Sequence, residues 1–400
     1  MKGSARFCRL IVGLVLIFSG FVKLLAPVGT SLVIKEYLEA FSLGFIAPAS
    51  LVLGITLATL EFLTGTALLL RLRIRIFAWV AFLLLAIFTP LTLYLAVFNP
   101  ISDCGCFGEA IHLTNWQTFF KNLILLPLAL IIFIFRKKIS EFRYPGWEWF
   151  FTILFLALAL YIPIRTLTKA PLQEYTPYRA GSEVTAGVKA DAVPEFETEF
   201  VYEKNGIRQT FDLENIPDST WTYVETVTKQ ISAGGANASD ADFVIESPDG
   251  QEITEEILSR RNLLLMTIFH PDKFLKRHGV EAITNIRDKA LEQGMDFMVV
   301  SPAEIDGLPE ECENARADLK LLMTFNRSNG GLTWLDDCFI VRKWAYPAAS
   351  SPKIVFNPSG SSEMEAIATL NRNRMELESI IVAFILLCIV KFIVFFRKKE

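Results

Sequence analysis

Along this chain, long apolar runs separated by short basic clusters fill residues 1–168, an ordinary mixture of polar and apolar positions fills 170–375, and the tail is apolar again. A membrane span needs roughly 20 apolar residues. The pattern predicts six spans: Leu10–Ala26, Pro48–Leu70, Ile76–Phe98, Phe119–Phe135, Trp147–Leu167 and Ser379–Phe396. Between the first two, Thr30–Leu43 has helical periodicity. Ile34, Tyr37, Leu38 and Phe41 share one face, and Lys35, Glu36 and Glu39 lie off it. Two readings are open there: a helix lying in the membrane interface, or a loop helix packed inside the bundle. Trp79, Trp116, Trp147 and Trp149 fall near span ends, as aromatic-belt residues do.

The basic clusters set an expected orientation. Lys2, Arg6 and Arg9 precede the first span, and Arg71, Arg73 and Arg75 separate the second from the third. Arg136, Lys137, Lys138 and Arg143 separate the fourth from the fifth, and Arg397, Lys398 and Lys399 follow the sixth. The intervening loop 99–117 has no Lys or Arg. By the positive-inside rule both termini are cytoplasmic, and loops 27–47 and 99–117 and the segment 170–375 face outward. The basic start of the first span also fits a signal peptide, but no small-residue cleavage pattern follows it. The expected location is a cell inner membrane, crossed several times, with residues 170–375 extracytoplasmic.

In the polar part, Pro171, Pro177, Gly181, Gly187 and Pro194 punctuate a stretch, 168–195, that reads as a linker. Phe200–Glu203 and Ile207–Phe211 flank Asn205-Gly206, a hairpin signal. Trp221–Thr228 is a further strand and Ser232–Ser239 a small-residue loop. Beyond Asp242 the pattern predicts a strand at Phe243–Glu246 and a short helix at Thr254–Ser259. It then gives a buried strand at Leu263–Phe269, a helix at Val280–Gln293 and a second buried strand at Phe297–Ser301. Ala315–Leu319 reads as helix or loop, Lys320–Phe325 as a short strand, and Leu332–Leu335 with Cys338–Trp344 as a closing hairpin.

The divisions are a four-helix membrane domain at 1–138, a fifth transmembrane helix at 139–168, a linker and small β-rich segment at 169–240, a soluble domain at 241–375 and a C-terminal transmembrane helix at 376–400. Composition adds little. The 400 residues carry a net charge of −4 and a mean hydropathy of +0.39. That balance gives no basic surface for nucleic acid and implies contact with membrane lipid.

The candidate chemistry is concentrated in a few positions. Glu61 is mid-span and Lys23 is in the last turn of the first span, so a structural ion pair between helices competes with a relay role. Of six cysteines, Cys8 and Cys388 lie at or within apolar segments and read as small hydrophobes. Cys312 and Cys338 are open between a structural disulfide and free thiols.

Asp103-Cys104-Gly105-Cys106-Phe107-Gly108 follows the third span on the expected outward side. Two thiols with a glycine between them suit thiol–disulfide exchange, which needs a thiolate and a resolving thiol. Exchange with a partner thiol or a membrane quinone is one reading. A soft-metal site from Cys104, Cys106 and His112 is a second, and a structural bend or inert disulfide is a third. Asp103 raises the thiol pKa, and His112 lowers it if the loop folds back. No motif for a cofactor or a metal stands out otherwise.

Phe18-Ser19-Gly20-Phe21-Val22-Lys23-Leu24, Glu61 with Gly65, and the Asp103–Gly108 hexapeptide together resemble the DoxX family, in its MauE-like branch, over residues 10–135. The resemblance implies a four-helix membrane bundle, loosely similar to vitamin K epoxide reductase, associated with disulfide formation in exported partners. The order strand, helix, strand, hairpin beyond residue 241 resembles thioredoxin-like domains of the membrane-tethered type. The fold class expected is thus an α-helical transmembrane bundle, a four-helix DoxX/MauE-like core plus two further spans, with an α/β thioredoxin-like soluble domain. That domain departs from its pattern at the active site. His270-Pro271-Asp272-Lys273 stands where Cys-x-x-Cys belongs, and Asn329-Gly330-Gly331 where a proline precedes the hairpin. His270 and His278 read as helix-start and surface residues.

On this reading Cys104 and Cys106 are the catalytic pair, quinone is the candidate cofactor, and the thiols of exported or periplasmic proteins are the partners. The rival is a membrane scaffold or assembly protein whose soluble domain binds a partner.

Overall fold

A computed structural model describes residues 2–101, 104–139, 145–185, 196–204, 207–211, 222–230 and 243–397. Its first half is helical: α1 (Lys2–Leu25), α2 (Pro27–Ala40), α3 (Ser50–Leu70), α4 (Ile74–Phe98), α5 (Asn115–Phe135) and α6 (Pro145–Thr168). Three antiparallel strands follow, β1 (Phe196–Lys204), β2 (Ile207–Phe211) and β3 (Thr222–Gln230), in the order β2-β1-β3. Next come α7 (Thr254–Ser259), β4 (Leu263–Thr267), α8 (Pro271–His278), α9 (Glu281–Glu292), β5 (Asp296–Ser301), β6 (Glu313–Arg316) and α10 (Leu319–Phe325). The chain closes with β7 (Gly331–Asp336), β8 (Phe339–Trp344), α11 (Tyr346–Ala349) and α12 (Ser362–Arg397).

Six helical segments are long and apolar enough to cross a membrane: Ala5–Leu25, Gly44–Leu70, Ile74–Phe98, Asn115–Phe135, Gly146–Thr168 and Ser362–Val394. The chain is a multi-pass membrane protein. Helix α5 starts ahead of its apolar run because Thr114 and Gln117 form a capping box that satisfies the first turn. Helix α12 runs uninterrupted over 36 residues. At about 1.5 Å per residue its length is about 54 Å, against about 30 Å of hydrocarbon. The helix is therefore longer than the hydrocarbon it would cross, and it continues from the sheet domain into the last span without a break.

The core of the membrane part is α1 against α3. A Cβ on Gly20 would sit 2.4 Å from the Phe62 nitrogen and 2.6 Å from the Ala58 oxygen. One on Gly65 would lie 2.6 Å from the Gly13 oxygen and from the Ile17 nitrogen. Small residues thus bring the two backbones together, as in membrane helix pairs generally. Val12, Leu16, Leu68, Ala78, Leu85, Leu125 and Ile132 make a shared apolar core of α1, α3, α4 and α5. Helices α6 and α12 pack on the outside of α1 and α3 through Ala159, Ile162, Phe155 and Ile380.

Helix α2 is packed rather than floating. Ser31 and Ser50 hydroxyls lie 2.9 Å apart, Ile34 meets Gly54 of α3, and Pro27, Gly29 and Thr30 are buried. The packed-helix reading of this segment holds, with the Lys35–Glu39 side still facing out.

The sheet domain has five mixed strands in the order β6-β5-β4-β7-β8, in which β4, β5 and β6 are parallel and β7 and β8 antiparallel. Alternate residues of β4 serve opposite cores: Leu263 and Leu265 one face, Leu264 and Met266 the other. Burial on both faces explains the unbroken apolar run. Three expectations are corrected. Lys320–Phe325 is helix α10, not a strand, because Asp318 caps it by accepting from the Lys320 and Leu321 N–H groups. The strand beside it is β6, on the sheet edge, where the sequence reads as helix or loop. Phe243–Glu246 forms only isolated bridges, Glu246 to Glu252 and to Arg316.

The expected linker is also partly structured. Leu172, Tyr178, Ala180 and Val184 are buried, and Tyr178 packs its ring against Phe243 and Phe325. The turn Asn205-Gly206, the loop Ser232–Ser239 and residues 186–195 lie outside the described residues.

Candidate functional site: a thiol pair at the mouth of the bundle

The loop between α4 and α5 folds back over the end of α1. Gly105 holds its turn at φ +62°, a left-handed conformation natural to glycine, and a Cβ there would lie 2.7 Å from Val33 of α2. The turn brings the two thiols together: Cys104 Sγ and Cys106 Sγ are 3.1 Å apart, and both cysteines are free. Tyr37 of α2 donates its hydroxyl to Cys104, 3.2 Å from Sγ and 3.0 Å from the carbonyl oxygen. Phe107 anchors the far side, edge-on to Phe18 at 5.4 Å and beneath the Lys121 ammonium at 4.3 Å.

One turn deeper lies the buried ion pair. Lys23 Nζ is 2.8 Å from each oxygen of Glu61, and both side chains are almost fully shielded. Ser19 Oγ lies 2.8 Å from Glu61 Oε2 and 2.7 Å from the Cys106 carbonyl oxygen. Its single hydrogen serves one of these two acceptors at a time.

The two thiols are electrostatically unequal. The Cys106 pKa is held below its ordinary value, first because Cys104 donates its S–H, and further because the Lys121 and Lys23 ammonium groups favour a thiolate; burial and Glu61 oppose this. Cys104 moves up, through that same hydrogen bond to Cys106 and through burial. The hydrogen bond between the thiols thus favours the proton on Cys104 and the thiolate at Cys106. The charges acting on the pair include Lys121, Lys23 and Glu61. Among the described residues no group of three His, Cys, Asp or Glu side chains lies close enough together to hold a metal ion. Asp103 lies outside the described residues.

The pair opens on a cavity of about 460 Å³ inside the bundle. Its wall is mostly apolar, including Leu57, Leu85, Phe88 and Leu125, with Lys121, Asn122, Tyr37 and Thr92 as polar points. Leu53 and Phe41 line it too and are partly exposed on the outer surface of the helices.

Sequence reasoning alone misses Tyr37 and Lys121 as members of the site. Lys121 offers a signal, a lone cation in the fourth apolar segment. Tyr37 offers none, since its relation to Cys104 depends on how α2 folds down.

The remaining sequence candidates fall elsewhere. His270 stands at the start of α8 and is half-buried, clasped by Asn329, whose Oδ1 accepts the His270 N–H at 3.0 Å and whose amide donates to the His270 carbonyl at 3.1 Å. His278 packs its ring on Tyr346 at 4.3 Å. Cys312 and Cys338 are free. Cys312 takes a hydrogen bond from Arg287 of α9 at 3.3 Å, whereas Cys338 packs against the core on the other side of the sheet.

The strand-end face of the soluble part, bearing the His270 turn, is turned toward the bundle. Arg327 pairs with Glu109 of the thiol loop, Lys343 pairs with Glu174 at 3.2 Å, and Arg165 Nε donates to Glu376 at 2.6 Å. Between the two parts is a second cavity, about 530 Å³, lined in part by Lys35, His270 and Lys273.

A helical membrane bundle carrying a close thiol pair at its mouth and an α/β domain beside it is the class these features define. The family model Methylamine utilisation protein MauE matches residues 1–136, the part that contains α1–α5 and the thiol loop. A domain of unknown function, DUF8463, matches residues 196–233. Protein TlpB of Flavobacterium psychrophilum is 27% identical over 175 residues, 42% of this chain. The match spans 45%, just under half, of that relative's length. No solved structure matches the chain.

Proposed function

We propose that this chain is an inner-membrane thiol–disulfide oxidoreductase of DoxX/MauE type that oxidises the thiols of exported proteins through Cys104 and Cys106. The observation that carries this reading is the 3.1 Å thiol pair with a depressed Cys106 pKa at the mouth of an apolar cavity. In the oxidised form of the pair, a partner thiolate attacks the Cys106 sulfur and Cys104 leaves with the electron pair. The second partner thiol attacks the mixed disulfide, its own disulfide forms, and Cys106 leaves as thiolate. The Lys121 and Lys23 charges favour that leaving group.

The cavity fits a quinone ring. Its volume lies in the range of small-molecule sites, its wall is mostly apolar, and Lys121 and Asn122 line it as side chains able to donate to carbonyl oxygens. When bound, a quinone supplies the two-electron, two-proton acceptor that returns the pair to the disulfide.

In this reading both termini are cytoplasmic and residues 170–375 are periplasmic. The soluble part is a thioredoxin-like domain without its own dithiol, which docks partners beside Cys106. A second reading has one observation in its favour: the Arg327–Glu109 pair seats that domain on the thiol loop, as a non-enzymatic scaffold requires.

Mass-tag trapping of thiol states in native membranes tests the proposal. The expected result is a mixture of dithiol and disulfide at Cys104/Cys106 that shifts toward dithiol when quinone oxidation is blocked. A pair locked in one state under every condition overturns it and leaves the scaffold.

A further inference from the structure

At the end of the bundle opposite the thiol loop, two cations, Arg9 and Arg71, have no ion-pair partner among the described residues. Arg9 lies in α1 toward the N-terminus from Lys23. The two are separated by about four helical turns, or about 21 Å along the axis. Arg9 is 6% exposed, and its Nε is fully buried without an acceptor. Arg71 ends α3 in a left-handed conformation at φ 58°. Among the described residues neither guanidinium has a hydrogen bond or an ion pair. The charges acting on Arg9 are those of Arg71 and Arg6, and both Arg9 and Arg71 act on Lys391 of α12. Lys391 itself donates to the Leu70 carbonyl. Glu148, the carboxylate that acts on Lys391, is already engaged by Arg73, whose N–H it accepts at 3.3 Å and whose Nε is 3.9 Å away.

A shielded cation with no partner is costly, and at the edge of a bilayer the available anion is a headgroup phosphate. Guanidinium groups match phosphate with paired N–H donors. We propose that Arg9 and Arg71, with Lys391 beside them, bind the phosphate of an anionic phospholipid. A lipid is favoured over free phosphate because Arg9 lies within the apolar span Ala5–Leu25. Its chain neighbours Phe7 and Leu10 are 63% and 44% exposed, an apolar flank that an acyl chain covers. The ordinary role of basic residues at this end, setting orientation, accounts for exposed cations but not for burying Arg9.

The test uses the full chain purified in a neutral detergent, with added phosphatidylglycerol, phosphatidylcholine of the same acyl chains, or inorganic phosphate. Native mass spectrometry reads bound lipid, and thermal unfolding reads stabilisation. The expected result is preference for phosphatidylglycerol over phosphatidylcholine by roughly tenfold or more, with a matching rise in unfolding midpoint. Arg71→Gln, at a partly buried position, and Arg9→Gln lose that preference, while Lys137→Gln, at the same end, keeps it. Equal binding of the two lipids, or full preference retained in Arg71→Gln, overturns the site. Inorganic phosphate reproducing the whole midpoint shift overturns the lipid as its ligand.

Discussion

Ser19 of α1 reaches the main-chain carbonyl of Cys106 at 2.7 Å, and the same hydroxyl lies 2.8 Å from the Glu61 carboxylate. One oxygen atom therefore joins the buried Lys23–Glu61 pair to the loop that carries the thiols. The ion pair spans α1 and α3, and the Ser19 hydroxyl lies between it and the thiol loop.

Removing one member of that pair leaves the other charge buried. Glu61→Gln should cost about 3 kcal/mol, seen as a lower unfolding midpoint of the bundle in detergent. The exchanged pair, Lys23→Glu with Glu61→Lys, should recover part of the loss. A double-mutant cycle with no coupling energy would remove the pair from the account.

What can be read from the sequence follows from the range of the forces involved. The spans are legible because a bilayer imposes a local rule on every one of about 20 consecutive residues. The thiol pair is legible because Cys104 and Cys106 are near neighbours in the chain. Tyr37 and Lys121 belong to the same site through α2 and α5, which only the tertiary fold brings together. Lys320–Phe325 misleads because a short apolar run fits strand and helix alike. Asp318, a capping residue directly before Leu319, is the signal that decides it. The packing of Leu172 and Tyr178 is hidden by the Pro and Gly around them.

The alternation of basic flanks makes a sharp expectation about sidedness. Reporter fusions after Lys138 and after Thr168 should report opposite sides of the membrane, cytoplasmic for the first and extracytoplasmic for the second. The same side at both points would eliminate α6 as a span.

The unequal thiols predict a pH profile. Because Cys106 is held below its ordinary 9.0, its alkylation rate should rise at a lower pH than that of an ordinary thiol and then level off. The sign follows from the thiolate being the reactive form: its fraction grows as pH rises through the folded-state value. Lys121→Gln removes a charge that favours the thiolate, so the rise should move to higher pH. A rise centred near 9.0 in the unmodified chain would contradict the arrangement, and mass spectrometry of the labelled peptide identifies the reacting cysteine.

The most exposed prediction concerns which sulfur forms the mixed disulfide. Cys104 is the favoured site of the shared proton and is held by the Tyr37 hydroxyl, whereas Cys106 is the more solvent-accessible of the two and the favoured thiolate. Exchange requires one thiol to bond to a partner and the other to resolve that bond. In Cys104→Ser the Cys106 thiolate attacks a partner disulfide, whose other sulfur leaves as thiolate, and Cys104 is no longer there to resolve the mixed disulfide, so adducts at Cys106 should accumulate and disappear on reduction. In Cys106→Ser the remaining Cys104 thiol is protonated and enclosed, so adducts should be absent, as in the double variant. Non-reducing electrophoresis of native membranes distinguishes these cases. Adducts confined to Cys106→Ser would reverse the roles. Adducts in neither single variant, with both thiols also inert to alkylation, would end the exchange mechanism and leave Glu109 and Arg327 as contacts of a docking protein.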